Sequence, residues 1–553
     1  MTDRSAFSTL FVNTPVGSPN RAVYGVREVS SSAAGTVEVP ERPDAEGGAS
    51  RSLVGWLVFL TAVGALLRFY RLGHQSLWVD EILTLQAANV GGTLTLRDIV
   101  WNIQGPLHAT LTHFVAKLST SEPALRAASA VAGTATIPVV CLLGRDMAGR
   151  RVGLLAAALT TFSPFAVWYS QEVRNYSFLM LLAAASTLLV WRLLKMRRRG
   201  WWIYVLTMAM AIQSNLSAVF LASAHNIFAA PRAIRDRRLM GRWVAAYVVI
   251  LILSLPIFLG VVRWVEVDDV GGRIGPISEA SEPELLRGET TFTPAAVPYA
   301  FFALAYGYSL GPSLTELHLR PPMQAYLSDF WLIAPAGLLL AAAVLLGIRA
   351  LCRRRAALLL LASMVVVTLA GAALLAFMNV KPFNARYVAV MFPALVVLVS
   401  AGVASLGRAR GALLFSALAF FLLLSLGGYY FNPRYYREDV RAAAGYIEAR
   451  ERSGDAVLVP VVRDVFRFYY GGDLMDYAAY RSQTSSDAAV DELVSRVSAG
   501  HSRLWFVQSR LWRVDPEGRV AALIRDRYRP LDEVDFPGVR GTLFELEEVI
   551  GAQ

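Results

Sequence analysis

Apolar residues run almost unbroken over stretches such as 53–70, 244–262 and 413–430. Each stretch is close to the roughly 18 to 20 residues that carry a helix across the hydrocarbon core of a bilayer. Between them lie short basic clusters, at 145–151, 195–199, 232–242, 349–355 and 408–410. Loops rich in Lys and Arg stay on the cytoplasmic side. Spans between two such clusters must therefore come in pairs, one out and one back.

This constraint predicts about eleven crossings. The first, 53–70, runs outward, and 124–144, 152–170 and 176–194 follow around the cluster at 145–151. Residues 201–230 lie between two basic clusters, so they are expected to form two short spans turning near Ser214-Asn215. Then 244–262 goes out, 331–348 returns, 358–377 goes out, 388–406 returns and 413–431 goes out. The apolar run 296–310 is too short to span and reads as an in-plane or re-entrant helix.

Three regions then share the outer face: 71–123, 263–329 and the tail 432–553. The second carries Glu266, Asp268, Asp269, Glu279, Glu282, Glu284 and Glu289, an acidic bias that fits the outside. In the tail the pattern changes. Residues 439–452 have helical periodicity, 456–462 and 503–508 read as strands and 520–528 as a helix. The expected architecture is an all-α polytopic membrane core at 51–431 followed by an extracytoplasmic α/β domain at 432–553, preceded by a disordered cytoplasmic tail at 1–50 that is rich in Ser, Gly, Pro, Glu and Arg. That N-terminal stretch has no cleavable signal pattern, so the first span serves as the anchor.

Composition agrees. The 553 residues are 55% hydrophobic and 17% charged, and the mean hydropathy is +0.45. The net charge of +11 would suggest nucleic acid in a soluble protein, but here it is spent on the cytoplasmic loops. The two cysteines, Cys141 in a span and Cys352 in a basic loop, form no evident disulfide or metal motif.

The strongest local signal is Ser76-Leu77-Trp78-Val79-Asp80-Glu81, just beyond the first span. Two adjacent carboxylates at a membrane interface are costly to desolvate without a task. The plainer alternative is that Asp80 caps a helix beginning at Glu81. Arg126, Arg174 and Arg386 fall at outer ends of spans, against the positive-inside trend. Arg offers a planar fork of donors suited to a phosphate. Snorkelling towards headgroups is the competing reading for each.

Several elements occur in one order: Arg68-Phe69-Tyr70-Arg71-Leu72-Gly73, Trp78-Val79-Asp80-Glu81, Gly105-Pro106-Leu107, Ala124-Leu125-Arg126, Tyr169-Ser170-Gln171-Glu172-Val173-Arg174-Asn175-Tyr176, and Lys381-Pro382-Phe383-Asn384-Ala385-Arg386-Tyr387. Together they resemble the GT-C membrane glycosyltransferases, in particular glycosyltransferase family 39, the bacterial relatives of the protein O-mannosyltransferases and of the aminoarabinose transferase acting on lipid A, with Trp78 to Glu81 matching the family's signature. The resemblance covers about 53–435. It implies the GT-C fold and a polyprenyl-phosphate-linked sugar as donor. It further implies that Asp80, with Glu81 beside it, stands at the transfer site, Asp80 taking the acceptor's proton. One base suffices for inversion, because a sugar on a phosphate already has a good leaving group.

Arg68, Gln104, His108, Arg126, Arg174, Tyr176, Arg386 and Tyr387 are the residues expected to hold the carrier phosphate and sugar. Relatives often have His-Pro-Pro-Leu-Tyr where this chain has Gln104-Gly105-Pro106-Leu107-His108, so Gln104 or His108 has to stand in for the first His. His108 and His113 are badly spaced for a helical metal pair. No metal ligands or cofactor are indicated, and the transfer is expected to be metal-independent or metal-optional. Acceptor choice is expected from 263–329 and the tail.

The reading is a multi-pass glycosyltransferase of the cytoplasmic membrane, N-terminus inside and C-terminus outside, with the bilayer, a polyprenyl-phosphate sugar and an extracytoplasmic acceptor (lipid, glycan or protein) as partners. One alternative is a transporter or flippase of lipid-linked sugars, which needs polar groups along a mid-membrane path. Gln213 and Asn215 are the main ones on offer. The other is a non-catalytic lipid-sugar binding protein, which does not need Asp80.

Overall fold

The computed structural model describes residues 44–546, apart from Gln104, Arg197, 268–293, Asn379 and Pro382. Most of the expected N-terminal tail and most of the acidic run in 263–329 lie outside the described residues. The described residues from 51 onward belong to one compact unit.

Among the described residues seven helices are long and apolar enough to cross a membrane: Ser52–Phe69, Glu122–Ala148, Tyr176–Lys195, Phe330–Leu351, Arg355–Phe377, Ala385–Ser405 and Arg408–Phe431. Two more segments qualify as bent pairs, Arg150–Phe162 with Pro164–Ser170 and Arg237–Leu253 with Leu255–Trp264, which turn by 55° and 56°. In the first pair Pro164 cannot continue the hydrogen-bond ladder, and the Ser163 hydroxyl caps the new helix by accepting from the Ala166 N–H at 3.1 Å. Counting each pair as one, nine segments reach spanning length. The other two expected spans form as the helices Trp201–Ser214 and Ala218–Ala233, of 14 and 16 residues, shorter than a full crossing. They turn at Asn215, whose side-chain oxygen accepts the Ser217 N–H at 3.0 Å. Ala296–Tyr306 is a separate short apolar helix, as its sequence predicts.

Large apolar side chains cover the outside of these helices, among them Leu338, Leu345, Val366 and Leu413. A surface so continuously apolar is tolerable in lipid and not in water. Inside, small residues set the spacing. A Cβ on Gly347 or Gly402 would lie 2.0 Å from a carbonyl oxygen of the facing helix, Leu398 O and Ala343 O respectively. The helices Phe330–Leu351 and Phe392–Ser405 therefore touch backbone to backbone, the packing that small residues allow in a bilayer.

The tail folds as a five-stranded sheet in the order β2-β1-β3-β5-β4. Its strands are β1 (Asp455–Leu458), β2 (Met475–Tyr477), β3 (Arg503–Gln508), β4 (Arg529–Phe536) and β5 (Val539–Glu545). β1 runs parallel to both β2 and β3, while β5 is antiparallel to β3 and β4. The period of two sorts the side chains. Ala456, Leu458, Leu504 and Phe506 pack with Val490, Val494 and Ile524 on one face. Val457, Val459, Trp505 and Val507 share the other face with Val440, Ile447 and Phe466 of the helices Val440–Glu448 and Arg463–Tyr469.

That second core does not end with the tail. Leu77, Ile82, Leu85, Leu125 and Val173 belong to it, so the segment carrying the two carboxylates is buried between the helical bundle and the sheet domain. Polar contacts close the same seam. The Ser76 hydroxyl donates to Glu438 O at 2.6 Å, the Leu77 N–H donates to the Tyr469 hydroxyl at 2.6 Å, and Arg441 pairs with Glu122.

Candidate active site

Asp80 sits in the first turn of the helix Val79–Ala87, whose N-cap is Trp78. The capping reading of Asp80 is thereby corrected. It is Glu81, not Asp80, that reaches back to the cap, accepting the Trp78 N–H at 3.3 Å. Asp80 is left to point elsewhere, and its Oδ2 accepts from Arg386 Nη1 at 2.7 Å. Burial opposes its ionisation, but Arg386, Arg174 and Arg510 outweigh that and hold the carboxyl below its usual range.

Glu81 is fully buried. It takes Arg126 through both oxygens, Nε to Oε1 at 2.8 Å and Nη2 to Oε2 at 2.7 Å, and Oε1 also accepts the Val173 N–H at 2.7 Å. Arg126 in turn donates to the carbonyls of Leu72, Gln75 and Ser76 at 3.0, 2.8 and 3.1 Å. Every guanidinium direction ends on protein. The expectation that Arg126 meets the carrier phosphate and that Glu81 is catalytic is thus corrected: the pair is a buried clamp that fixes the segment 72–81. Arg68 is corrected likewise. It is buried among the helices and donates to Gly64 O at 2.9 Å and Thr160 O at 3.0 Å.

A polar cavity of about 120 Å³ contains Asp80 and Arg386 together with Trp78, Glu172, Tyr308 and Arg437. Arg386 is presented by a short turn in which the Asn384 side chain accepts the Arg386 N–H at 3.1 Å. The Asp80 and Arg386 side chains are 20% and 18% exposed, dry enough for a strong pair and still open to the cavity.

Arg174 lies behind Asp80, donating to the Asp80 carbonyl and to the Thr84 hydroxyl, both at 3.0 Å. Its guanidinium is 5.8 Å from the Tyr176 ring. Arg386 Nη2 donates to the Tyr387 hydroxyl at 3.3 Å. Arg174, Tyr176 and Tyr387 thus support the pair from outside the cavity lining. His108 is buried against Phe178; burial, and to a smaller extent Arg174, push its pKa down to about 3, so it stays neutral. It is not brought to the cavity, which corrects its assignment as a phosphate contact. His113 turns to the Ala88 carbonyl at 2.9 Å. Gln104 lies outside the described residues.

The departure at Gly105-Pro106 has a steric cause. Gly105 has φ 119°, and a Cβ there would lie 2.2 Å from Ser214 O and 2.8 Å from Asn175 Nδ2. Asn175 Nδ2 also donates to Ser214 O at 2.6 Å, and Asn215 donates to Asn175 Oδ1 at 3.2 Å. The Ser214-Asn215 turn is therefore a packing junction with 105 and 175. Gln213 donates to Leu253 O at 2.9 Å. The Asn215 amide and the Gln213 amide nitrogen are thus engaged in contacts within the fold.

Sequence reasoning passed over Glu172, which sits inside a quoted motif. It is buried at the cavity wall, accepting from Trp168 Nε1 at 2.8 Å and from Arg437 Nη2 at 2.5 Å. Arg437 also lies 3.5 Å from Glu81, so one guanidinium serves two carboxylates. Burial raises the Glu172 pKa, Arg437 draws it back, and the nearby Glu81 and Asp80 charges raise it again, leaving it at about 7. Arg437 stands six residues beyond the last span, close to a span end as Arg126, Arg174 and Arg386 are.

The family model for dolichyl-phosphate-mannose-protein mannosyltransferase matches residues 104–264. No curated protein matches the chain in sequence. In structure the chain is similar to ArnT from Cupriavidus metallidurans, with a TM-score of 0.53 and 14% identity over 91% of this chain and 100% of that one. The chain has the GT-C glycosyltransferase fold. The undecaprenyl phosphate-bound structure of the same ArnT gives a TM-score of 0.54 at 14% identity, over 90% and 99% of the two chains. The apo oligosaccharyltransferase of Archaeoglobus fulgidus gives 0.50 at 12% identity, covering 89% of this chain and 74% of that one.

On this GT-C scaffold a second opening adjoins the polar cavity. It is an apolar groove of about 860 Å³ walled by the helices Ala296–Tyr306 and Phe330–Leu351, with Phe302, Leu310, Ile333, Leu338 and Val344 among its lining. Tyr308 lines both spaces.

Proposed function

We propose that the protein is a membrane glycosyltransferase that moves a sugar from a polyprenyl-phosphate carrier to an extracytoplasmic hydroxyl with inversion. The observation that carries this is Tyr308, which lines both a charged cavity and an apolar groove walled by Ala296–Tyr306 and the spanning helix Phe330–Leu351. A ligand with a phosphate at the end of a long hydrocarbon chain fits that pair of environments. The bound undecaprenyl phosphate of ArnT supports the same carrier class.

In this reading the acceptor oxygen attacks the anomeric carbon while the bond from that carbon to the phosphate oxygen breaks. The electron pair leaves on the carrier phosphate, and Arg386 meets that charge through its fork of donors. The acceptor's proton passes to Asp80. Arg174 and Arg510 keep Asp80 ionised at neutral pH, and the good leaving group allows a weak base to suffice. Arg174, Tyr176 and Tyr387 hold the pair in place. The charges required come from side chains, so the transfer is metal-independent or metal-optional.

A second assignment within the same reaction is favoured by Glu172, whose pKa of about 7 is matched to a general base at neutral pH. The two carboxylates are separated by Asp80→Asn and Glu172→Gln.

The test is to incubate the purified full chain in nanodiscs with a panel of polyprenyl-phosphate sugars and membrane-derived acceptors, and to follow release of the carrier phosphate. Turnover with at least one donor is expected, together with thermal protection by undecaprenyl phosphate. Neither turnover nor protection across the panel would overturn the reading.

A further inference from the structure

The tail sheet has a topological switch point. The chain leaves β1 for β2 on one side and comes back to β3 on the other, and all three strands are parallel. In open α/β sheets the crevice beyond the carboxyl ends of strands flanking such a point is a favoured ligand position. Here the segment leaving β3 is residues 509–513. Arg510, Trp512 and Arg513 line the cavity that holds Asp80.

This segment is held in an arrangement that stability alone does not favour. Arg510 has φ 52°, the left-handed region that side-chain-bearing residues adopt at a cost. Its guanidinium is clamped by both oxygens of Glu438, at 2.6 and 2.9 Å, and stands 5.4 Å from the Trp78 ring. Just before it, Ser509 is buried, and among the described residues its hydroxyl has no hydrogen-bond partner. Strain and an unspent buried polar group at one place mark a loop fixed for binding.

The loop holds up the turn Leu511–Arg513. The Trp512 ring lies 4.8 Å from the His318 ring, at an interplanar angle of 44°. Charge sorts the arginines of the cavity. Arg386, Arg437 and Arg510 each end on a carboxylate of the same cavity, and Arg434 on Glu316 and Asp329. Arg513 is exposed at the rim, and among the described residues its guanidinium has no carboxylate partner.

Resting on the transfer reading above, we propose that Trp512 and Arg513 form an acceptor subsite that selects a saccharide bearing an anionic group, phosphate or carboxylate. The indole packs against a sugar face, and the Arg513 fork takes the anion. The carrier does not compete for this place. Its phosphate is assigned to Arg386 and its chain to the groove beyond Tyr308, to which the tail contributes no residue.

The experiment uses the full chain in phosphatidylcholine nanodiscs and three fluorescent probes: a glycolipid phosphorylated on its sugar, the same glycolipid without the phosphate, and phosphatidylglycerol. Undecaprenyl phosphate affinity is measured alongside. The phosphorylated glycolipid should bind at least about tenfold more tightly than the other two, the step expected of one charge-assisted contact. Arg513→Gln, at an exposed site, should erase that preference, Trp512→Ala should weaken both glycolipids, and neither should change undecaprenyl phosphate binding. Equal binding of the two glycolipids, equal binding of phosphatidylglycerol, or a preference untouched by Arg513→Gln overturns the subsite. Loss of undecaprenyl phosphate binding in the parent protein would instead overturn the carrier reading, which the glycolipid comparison does not depend on.

Discussion

The carboxylate of Asp80 and the guanidinium of Arg386 meet at 2.7 Å across 306 residues of sequence. One belongs to the segment after the first span and the other to the entry of a late one. Their meeting puts a carboxylate and a guanidinium on the wall of one cavity. Asp80→Asn keeps the shape and one acceptor oxygen but removes the basicity. Transfer should fall by about 10²–10⁴-fold, with undecaprenyl phosphate binding and thermal midpoint near those of the parent. A rate within a few-fold of the parent would move the base to another residue, Glu172 first.

Arg386→Ala should weaken undecaprenyl phosphate binding by roughly 1.5–3 kcal/mol, the worth of a hydrogen bond to a charged group. Arg198→Ala, in a basic cluster between spans, controls for lost lipid anchoring. Equal losses in a nanodisc binding assay would reduce Arg386 to a headgroup anchor.

Glu81→Gln should act on the fold. It leaves Arg126 buried without its charge partner, and breaking a buried pair in this way costs about 3–5 kcal/mol. A clear drop in thermal midpoint is expected, larger than that of Asp80→Asn, whose site is partly open. A Glu81→Gln protein of parental stability with no transfer would return Glu81 to the chemistry.

Glu172 sets a pH dependence of stability. Its native pKa of about 7 lies above the ordinary glutamate value, so between about 4.5 and about 7 the native state keeps a proton that the unfolded chain has lost. The stabilisation is therefore complete below that window and lost as pH rises through it. The midpoint of the parent relative to Glu172→Gln should fall from pH 5 to pH 8. A flat difference would mean that Arg437 holds Glu172 ionised throughout.

The orientation expected from the basic clusters can be tested with a cysteine already present. Cys352 is exposed and Cys141 buried, and Cys352 joins two spans next to a run of arginines. An impermeant thiol reagent should label Cys352 in inside-out vesicles and not in intact cells. Ser485→Cys, on the tail surface, should show the reverse. Labelling of Cys352 in intact cells would invert the protein and turn the cavity to the cytoplasm.

The spans were legible because a bilayer imposes length and hydropathy on each of them separately. The two short arms at 201–233 follow from charge placement alone, since neither is long enough to announce itself. Asp80 and Arg386 could be picked out by residue type and position. What position could not reveal was the direction of a side chain. Arg126 and Arg386 both stand at span ends, yet one turns into Glu81 and the other into the cavity. Glu172 and Arg510 were missed because their significance lies in partners hundreds of residues away or in a strained turn. β4 was missed for another reason. Its sequence Arg-Pro-Leu-Asp-Glu-Val-Asp-Phe is that of an exposed edge, where charges and proline discourage further pairing.

The seam between bundle and tail also orders events in time. The segment 76–81 leaves the ribosome early, but Ser76 is held by Glu438 O, Leu77 by the Tyr469 hydroxyl, and the cavity wall by Arg437 and Arg510. A nascent chain that has threaded all its spans still lacks these braces. The cavity is completed only when the segment beyond 431 has been made and has folded back on the first span's exit. A product cut short at 431 is then a bundle of spans whose cavity wall lacks Arg437, Glu438 and Arg510, so synthesis itself withholds the assembled pocket until the sheet domain has folded.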